Sequence, residues 1–431
     1  MTTLGPTSGV SRRSFLKGAV AVGGTTGLTA CVRGQGSASV PPGTDDFEAL
    51  PERQHAWNQV LRRDDDGNAL LPRHHVLASF SLPTAGRPGA SARDTVETAL
   101  RTLERAYERS PAGLLFTVSY SPRYFDRFDG TLPQTVDLPR PRPLAPFEDP
   151  ALDEPDVLIH LASDIARVPL EAEAALRGTR DVANGVSVDV SLSSVLDSAG
   201  RRTGFVGAGL PAKHEDVADV PSGTIDEDAP LFMGFKSGFA MNQASEDRVT
   251  IEVGPFRGGT TQHLSQMTID LHQWYEQDDR FQRVAKMFSP THAEEGLVED
   301  VGQHLGKSSK MSAAASPWTA AREWGVVGHS QKLQAVREDG SPLLLRRDFS
   351  STDGDRPGLH FLALQEGIED FVRTRTAMNG TDLASETPVG TRLNNGILQY
   401  LTVLRRGNFL VPPRRLRALP PADPGDAGGE S

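Results

Sequence analysis

Strand-like and helix-like segments are mixed through both halves of this chain, and that mixture limits the fold more than any single residue. In the first half, His75 to Leu82 has the alternation and bulk of a strand. Ser91 to Glu108 carries Val96, Ala99, Leu100, Leu103 and Ala106 at helical spacing, with Ser91 or Asp94 placed to cap its start. Gly113–Tyr120 and Asp156–Leu161 read as strands and Leu170–Leu176 as a short helix, while the repeated prolines of residues 133–150 exclude regular structure between them. Strand–helix–strand–strand–helix calls for a sheet with helices packed on one face, an α+β architecture. The second half opens at Arg248–Val253 and repeats the theme. Thr260–Ile269 is an alternating strand, Leu271–Asp278 a helical segment and Gly358–Gln365 a strong strand. Ile368–Met378 is an amphipathic helix, and Ile397–Leu404 with Phe409–Val411 close the sheet. The halves share this theme and no residue-level repeat.

The ends carry a different kind of information. Ser11-Arg12-Arg13-Ser14-Phe15-Leu16-Lys17, followed by a small, mildly apolar run from Gly18 to Ala30, reads as a twin-arginine signal that hands the chain to the Tat export machinery. That run is too short to span a bilayer, and no second apolar stretch is long enough. Leu28-Thr29-Ala30-Cys31 resembles a lipobox, so Cys31, the only cysteine, is expected to be lipidated and to anchor the chain to the outer face of a membrane. One cysteine also excludes an intramolecular disulfide. Residues 32–50 are rich in Gly, Ser and Pro and are expected to form a flexible linker after the 1–31 signal, and residues 420–431 a disordered tail. Between them lie an N-terminal domain at 51–220 and a C-terminal domain at 221–419. The net charge of −11, without a basic block interleaved with aromatics, excludes nucleic acid as a partner.

Three motifs stand in a fixed order in the second half: Gly234-Phe235-Lys236-Ser237-Gly238 with Asn242 shortly after, Arg257-Gly258-Gly259-Thr260-Thr261, and Gly325-Val326-Val327-Gly328-His329 followed by Leu343-Leu344-Leu345-Arg346-Arg347-Asp348. In this order they resemble the dye-decolourising peroxidase (DyP-type) superfamily of haem proteins, over about His74 to Pro413. The resemblance implies two ferredoxin-like domains with antiparallel sheets and flanking helices, and haem b held mainly by the second. It implies His329 as axial ligand of the haem iron and Arg346 as the cation on the open face. Gly234, Gly238, Asn242 and Thr260 would join His329 and Arg346 in binding the cofactor. The chain departs from the family at Ser237, which stands where the family has its distal aspartate.

The residue chemistry bears on that departure. Peroxide chemistry at an iron needs a base to move a proton and a fixed cation to hold developing charge. Arg346 suits the second task because it stays protonated with rigid donors, and Arg347 is the alternative. The Ser237 hydroxyl is not ionised near neutral pH, so it can orient a water but is a poor base. Asp348 either holds the arginine pair or is a surface acid, and it is the next carboxylate to consider. Other candidates read as structural. His160 is a core or edge histidine, His214 with Glu215, Asp216 and Asp219 a solvated acidic loop, and His292 with Glu294 and Glu295 a surface helix start. His74-His75 begins a strand, and Gly204–Gly209 lacks the setting of a nucleotide loop. The expected function is an exported haem peroxidase that uses hydrogen peroxide to oxidise a small-molecule reductant, with activity weakened by Ser237. The alternative is a haem carrier or sensor without efficient turnover.

Overall fold

The computed structural model describes residues 39–425, so Arg12, Arg13 and Cys31 lie outside the described residues. Eight strands form a closed ring. The first half supplies β1 (His74–Ser81), α1 (Ala90–Ala106), β2 (Leu115–Tyr120), β3 (Val157–Ser163), α2 (Arg167–Leu176) and β4 (Asp197–Phe205). The second supplies β5 (Thr260–Ile269), α3 (Arg280–Met287), α4 (Pro290–Glu294), α5 (Pro317–Glu323) and α6 (His329–Lys332). It continues with β6 (Phe349–Ser351), β7 (Gly358–Gln365), α7 (Ile368–Asn379) and β8 (Leu401–Val411). The strand order is β4-β1-β3-β2 in the first half and β6-β7-β5-β8 in the second, the same ferredoxin-like order read from opposite ends, and all neighbours are antiparallel. Pairing of β6 with β4 at Ser350 and Phe205, and of β8 with β2 at Leu410 and Tyr120, joins the halves into one barrel.

Period-two alternation sorts the side chains. Leu77, Leu158, Leu264, Leu362, Leu364, Phe349, Phe409 and Val411 turn into the barrel and form one apolar cluster. On the outside of the first half, Val76, Ala78 and Phe80 meet Val96, Leu100 and Leu103 of α1 and Val168, Ala172 and Leu176 of α2. Burying each such large side chain is worth roughly 1.5–3 kcal/mol. The barrel interior also holds a histidine pair. His75 Nδ1 lies 2.9 Å from His160 Nε2, and His75 stacks on Phe349 at 4.3 Å between ring centres. His160 is thus a core histidine, although its Nδ1 has no partner among the described residues.

Several expectations change. The N-cap of α1 is Gly89, with no side-chain cap, because the helix starts at Ala90 and Ser91 and Asp94 fall inside it. Residues 397–404 and 409–411 are not separate strands: β8 runs unbroken from Leu401, and the Arg405-Arg406-Gly407 interruption stays in the sheet because Glu148 accepts from Arg406 at 2.8 Å. The described part of the linker is docked rather than loose. Val40 is buried, the amides of Gly43 and Thr44 donate to the carbonyls of Arg105 and Glu104 at 3.0 and 2.9 Å, and Pro41 accepts from Glu108 N at 3.1 Å. The described start of the tail is likewise ordered, since Tyr124 Oη donates to Pro420 O at 2.8 Å and Ala422 is buried. No helix among the described residues is long and apolar enough to cross a membrane.

Candidate functional site

A helix covers the outer face of the second sheet only in part: α7 packs on it through Phe371, which stacks on His263 at 3.5 Å between ring centres. The long connection between β5 and β6 stands off from that face, and a cavity of about 480 Å³ opens between them, within the range for cofactor and small-molecule sites. Outward-facing Met267 and Ile269 of β5, Leu359 and Phe361 of β7 and Val403 of β8 form its wall, and Phe235, Phe288, His329 and Leu333 close the opposite side.

His329 opens α6, and its position is fixed by backbone contacts on two sides. Gly328, just before it, lies so close to the carbonyl of Phe288 that a Cβ there would sit 1.7 Å from that oxygen. Gly328 N donates to Gln331 Oε1 at 3.1 Å, and Gln331 Nε2 donates to Ala315 O at 2.6 Å. From the other side, Val327 N donates to Asn394 O at 3.0 Å, Gly396 N donates to Val327 O at 2.8 Å, and Gly396 has the positive φ of +63° that lets the chain turn against the His329 backbone. Among the described residues neither ring nitrogen of His329 has a hydrogen-bond partner. Burial, with help from Lys332, Arg346 and Arg375, pushes its pKa down to about 3, so the imidazole is neutral. Lys332, one turn on, is lowered to about 7 by burial and Arg375. Its Nζ nevertheless meets only oxygens, Met378 O at 2.5 Å, Asn395 Oδ1 at 2.6 Å and Asn395 O at 3.2 Å, an environment that suits the ammonium form.

The Leu343–Phe349 segment obeys the same alternation as a strand, anchored by the two-residue strand Leu345–Arg346 pairing with β7. Leu344, Arg346, Asp348 and Ser350 therefore line the cavity, while Leu345 and Phe349 belong to the barrel interior. Arg347 goes the other way: its guanidinium sits 4.0 Å over the Trp57 ring and donates to His55 O. Arg346, not Arg347, reaches the cavity. Asp348 is neither a surface acid nor a tight clamp. It is buried, its Oδ2 lies 3.5 Å from Arg346 Nη1, and its Oδ1 has no partner among the described residues. Burial raises its pKa to about 6 against the lowering effect of Arg346.

The Gly234–Asn242 stretch forms another rim. Gly234 (φ +80°) and Gly238 (φ +78°) make turns that an L side chain resists, and a Cβ on Gly234 would lie 2.7 Å from Tyr275 Oη. Ser237 and Asn242 line the cavity, with Ser237 solvent-exposed and Asn242 Nδ2 donating to Ser309 Oγ at 2.9 Å. Gln243 ties this rim to the arginine strand, accepting from Arg346 N at 2.9 Å and donating to Arg346 O at 3.3 Å. Thr260 is a correction. It is in the sheet, its hydroxyl donates to Val249 O at 2.6 Å, and it is not among the residues lining the cavity, because its position on β5 is spent on the strand junction.

Sequence reasoning missed the cations at one end. Arg375 of α7 and Arg406 of β8 both bind Glu148, at 2.6 and 2.8 Å, yet Arg375 Nη1 and Arg406 Nε and Nη1 are buried without partners among the described residues. Phe371, Thr374, Arg375 and Met378 share one face of α7, and an arginine in that stripe was the available signal. Two histidines were misplaced as solvated. His292 is buried because Ser289 Oγ and Ser309 O take its two nitrogens at 2.7 and 2.9 Å, and His214 is buried against Phe205 at 4.2 Å between rings.

Comparison with solved structures identifies the architecture. DyPB from Rhodococcus jostii RHA1 superposes with a TM-score of 0.54 at 15% identity, covering 81% of this chain and 96% of that one. The encapsulated DyP-type peroxidase from Mycobacterium smegmatis gives 0.51 at 15%, covering 84% and 99%. A R. jostii DypB variant solved in complex with haem gives 0.52 at 15%, covering 81% and 96%. The chain thus has the fold of the DyP superfamily. No curated protein matches the sequence. A family described as "Family of unknown function (DUF7405)" matches residues 72–413, most of the chain, and the protein belongs to that family.

Proposed function

We propose that this protein is a haem-dependent peroxidase of the dye-decolourising type, oxidising a small reductant with hydrogen peroxide. The observation that carries this reading is His329, a neutral, unpartnered imidazole in a largely apolar cavity that also presents Arg346. The donor set fits haem b. A neutral imidazole nitrogen is a haem-iron ligand, the walls are apolar, and the partnerless N–H groups of Arg375 and Arg406 suit the carboxylates of the porphyrin edge. When bound, the haem would supply the redox chemistry by which peroxide is reduced. The chain's own groups do the rest. His329 would hold the haem iron through a neutral ring nitrogen. Arg346, locked through Gln243, offers fixed donors to charge developing on a peroxide oxygen. Ser237 can hold a water at the open edge but carries no ionisable oxygen. We further propose that Arg12 and Arg13 direct Tat export and that Cys31 carries the lipid.

The test is a hemin titration of the apo protein followed by steady-state oxidation of a dye. Wild type should give a stoichiometric Soret band and peroxide-dependent turnover, and His329→Ala should bind hemin at least about tenfold more weakly. A wild type without a Soret band would overturn the reading. Binding without turnover would replace it by a haem carrier or sensor.

A further inference from the structure

We propose that Asp348 is the proton-accepting group of this cavity, in the role that Ser237 cannot fill. This rests on the reading of His329 as a haem-iron ligand. The geometry comes from strand alternation: Asp348 is two residues from Arg346 on an extended segment, so both carboxylate and guanidinium face the cavity while Arg347 faces away. The spacing of 3.5 Å between Asp348 Oδ2 and Arg346 Nη1 is close enough for charge stabilisation and too long for a hydrogen bond, so the carboxylate's polar contacts are this guanidinium and the Leu362 backbone. Oδ1 is free of any partner among the described residues, in a side chain only 9% exposed. A buried acceptor without a donor costs free energy, and such groups are kept where chemistry uses them.

The charged groups around it are otherwise engaged. Lys236 is bound to Asp64 at 2.7 Å, Glu148 is held by Arg375 and Arg406, and Asp149 lines the cavity as a solvent-exposed acid. Asp348 is therefore the buried cavity-lining carboxylate with an oxygen that has no partner among the described residues. Burial lifts its pKa toward the neutral range and Arg346 restrains the rise, which leaves a base of useful strength. The step assigned to it is a proton transfer alone. Hydrogen peroxide gives one proton to an Asp348 oxygen and becomes hydroperoxide anion, and the carboxylic acid so formed holds that proton for return to a leaving oxygen.

Cyanide association with the hemin-loaded ferric protein tests this without turnover, because hydrogen cyanide must also lose its proton on binding. In wild type the rate should fall as pH drops through the carboxyl's titration. Asp348→Asn should be slower by about 10²–10⁴-fold, the usual worth of a positioned base, and should lack that pH step. Asp348→Glu should keep the step. In the apo protein, difference infrared spectra should show a carboxylic-acid band that titrates in wild type and is missing in Asp348→Asn. If Asp348→Asn binds hemin normally and retains the wild-type rate and pH step, the assignment is overturned while the haem reading stands. If wild type forms no hemin complex, the haem reading falls and this assignment with it.

Discussion

Gly328→Ala isolates the contact that positions His329. The residue has φ −78° and ψ 147°, which any amino acid adopts, so the substitution brings no dihedral strain. The whole effect is steric. The new Cβ would sit 1.7 Å from Phe288 O, 2.4 Å from Phe288 C and 2.9 Å from Ser289 N, where separations under 3.0 Å essentially do not occur. All three are backbone atoms and cannot rotate aside, so the two segments must part by more than an ångström. Overpacking of this kind costs about 1–3 kcal/mol, and loosening the Gly328–Gln331 bond adds about 1 kcal/mol. We expect a loss of roughly 2–4 kcal/mol in urea unfolding of the apo protein, and hemin affinity weakened at least about tenfold because His329 moves with its neighbour. Gly325→Ala is the control. It meets nothing within 4 Å, but its φ of +64° predicts a cost of about 1–2 kcal/mol with hemin affinity preserved. A Gly328→Ala protein as stable as wild type, with unchanged affinity, would refute the account of how His329 is held.

Asp348 has a folded pKa raised from 3.8 to about 6, so ionisation is easier in the unfolded chain. Its contribution is most favourable below pH 3.8 and is lost as pH rises to about 6, by roughly 3 kcal/mol, and the stability difference between Asp348→Asn and wild type should grow over that window and flatten above it. His55 and His75 are each lowered to about 3 by burial. Their neutral forms stabilise the fold above the unfolded value of 6.5, and each should cost up to about 1.4 kcal/mol per pH unit as acid protonates the unfolded chain below it; a urea midpoint that does not fall between pH 6.5 and 5 would contradict this. Cys31→Ser should release the exported protein from membranes, and Lys at positions 12 and 13 should block export; fractionation and N-terminal mass analysis read both.

The sequence was most legible where one physical rule acts alone. Thr260–Ile269 and Gly358–Gln365 were read to the residue because each strand has one face in the barrel and one outside, and that alternation is visible in the letters. Arg346 could be preferred to Arg347 only by the resemblance, since the leucines before them do not say which face is which. The pairing of Leu345 with Leu364 decides it, and the same pairing turns Asp348 away from the barrel interior and toward the cavity. Arg375 and Arg406 were missed because their shared partner Glu148 lies in the proline-rich loop, far away in the chain. His292 looked like a surface residue beside Glu294 and Glu295. The carbonyl of Ser309 that lets it be buried could not be found by spacing.

The ring has a consequence for the nascent chain. Strand β8 is made last, yet it lies between β2 and β5 and is bonded to both. Until residue 411 has left the ribosome, both neighbours present unpaired edges, the exposure that invites wrong pairing. Closure also joins Tyr120 to Leu410 across most of the chain, a long loop whose entropy must be met before the contact rewards it. Folding should therefore be slow and finish only after synthesis, and any product cut short before Leu401 would keep two sheet edges open however well its first half had formed.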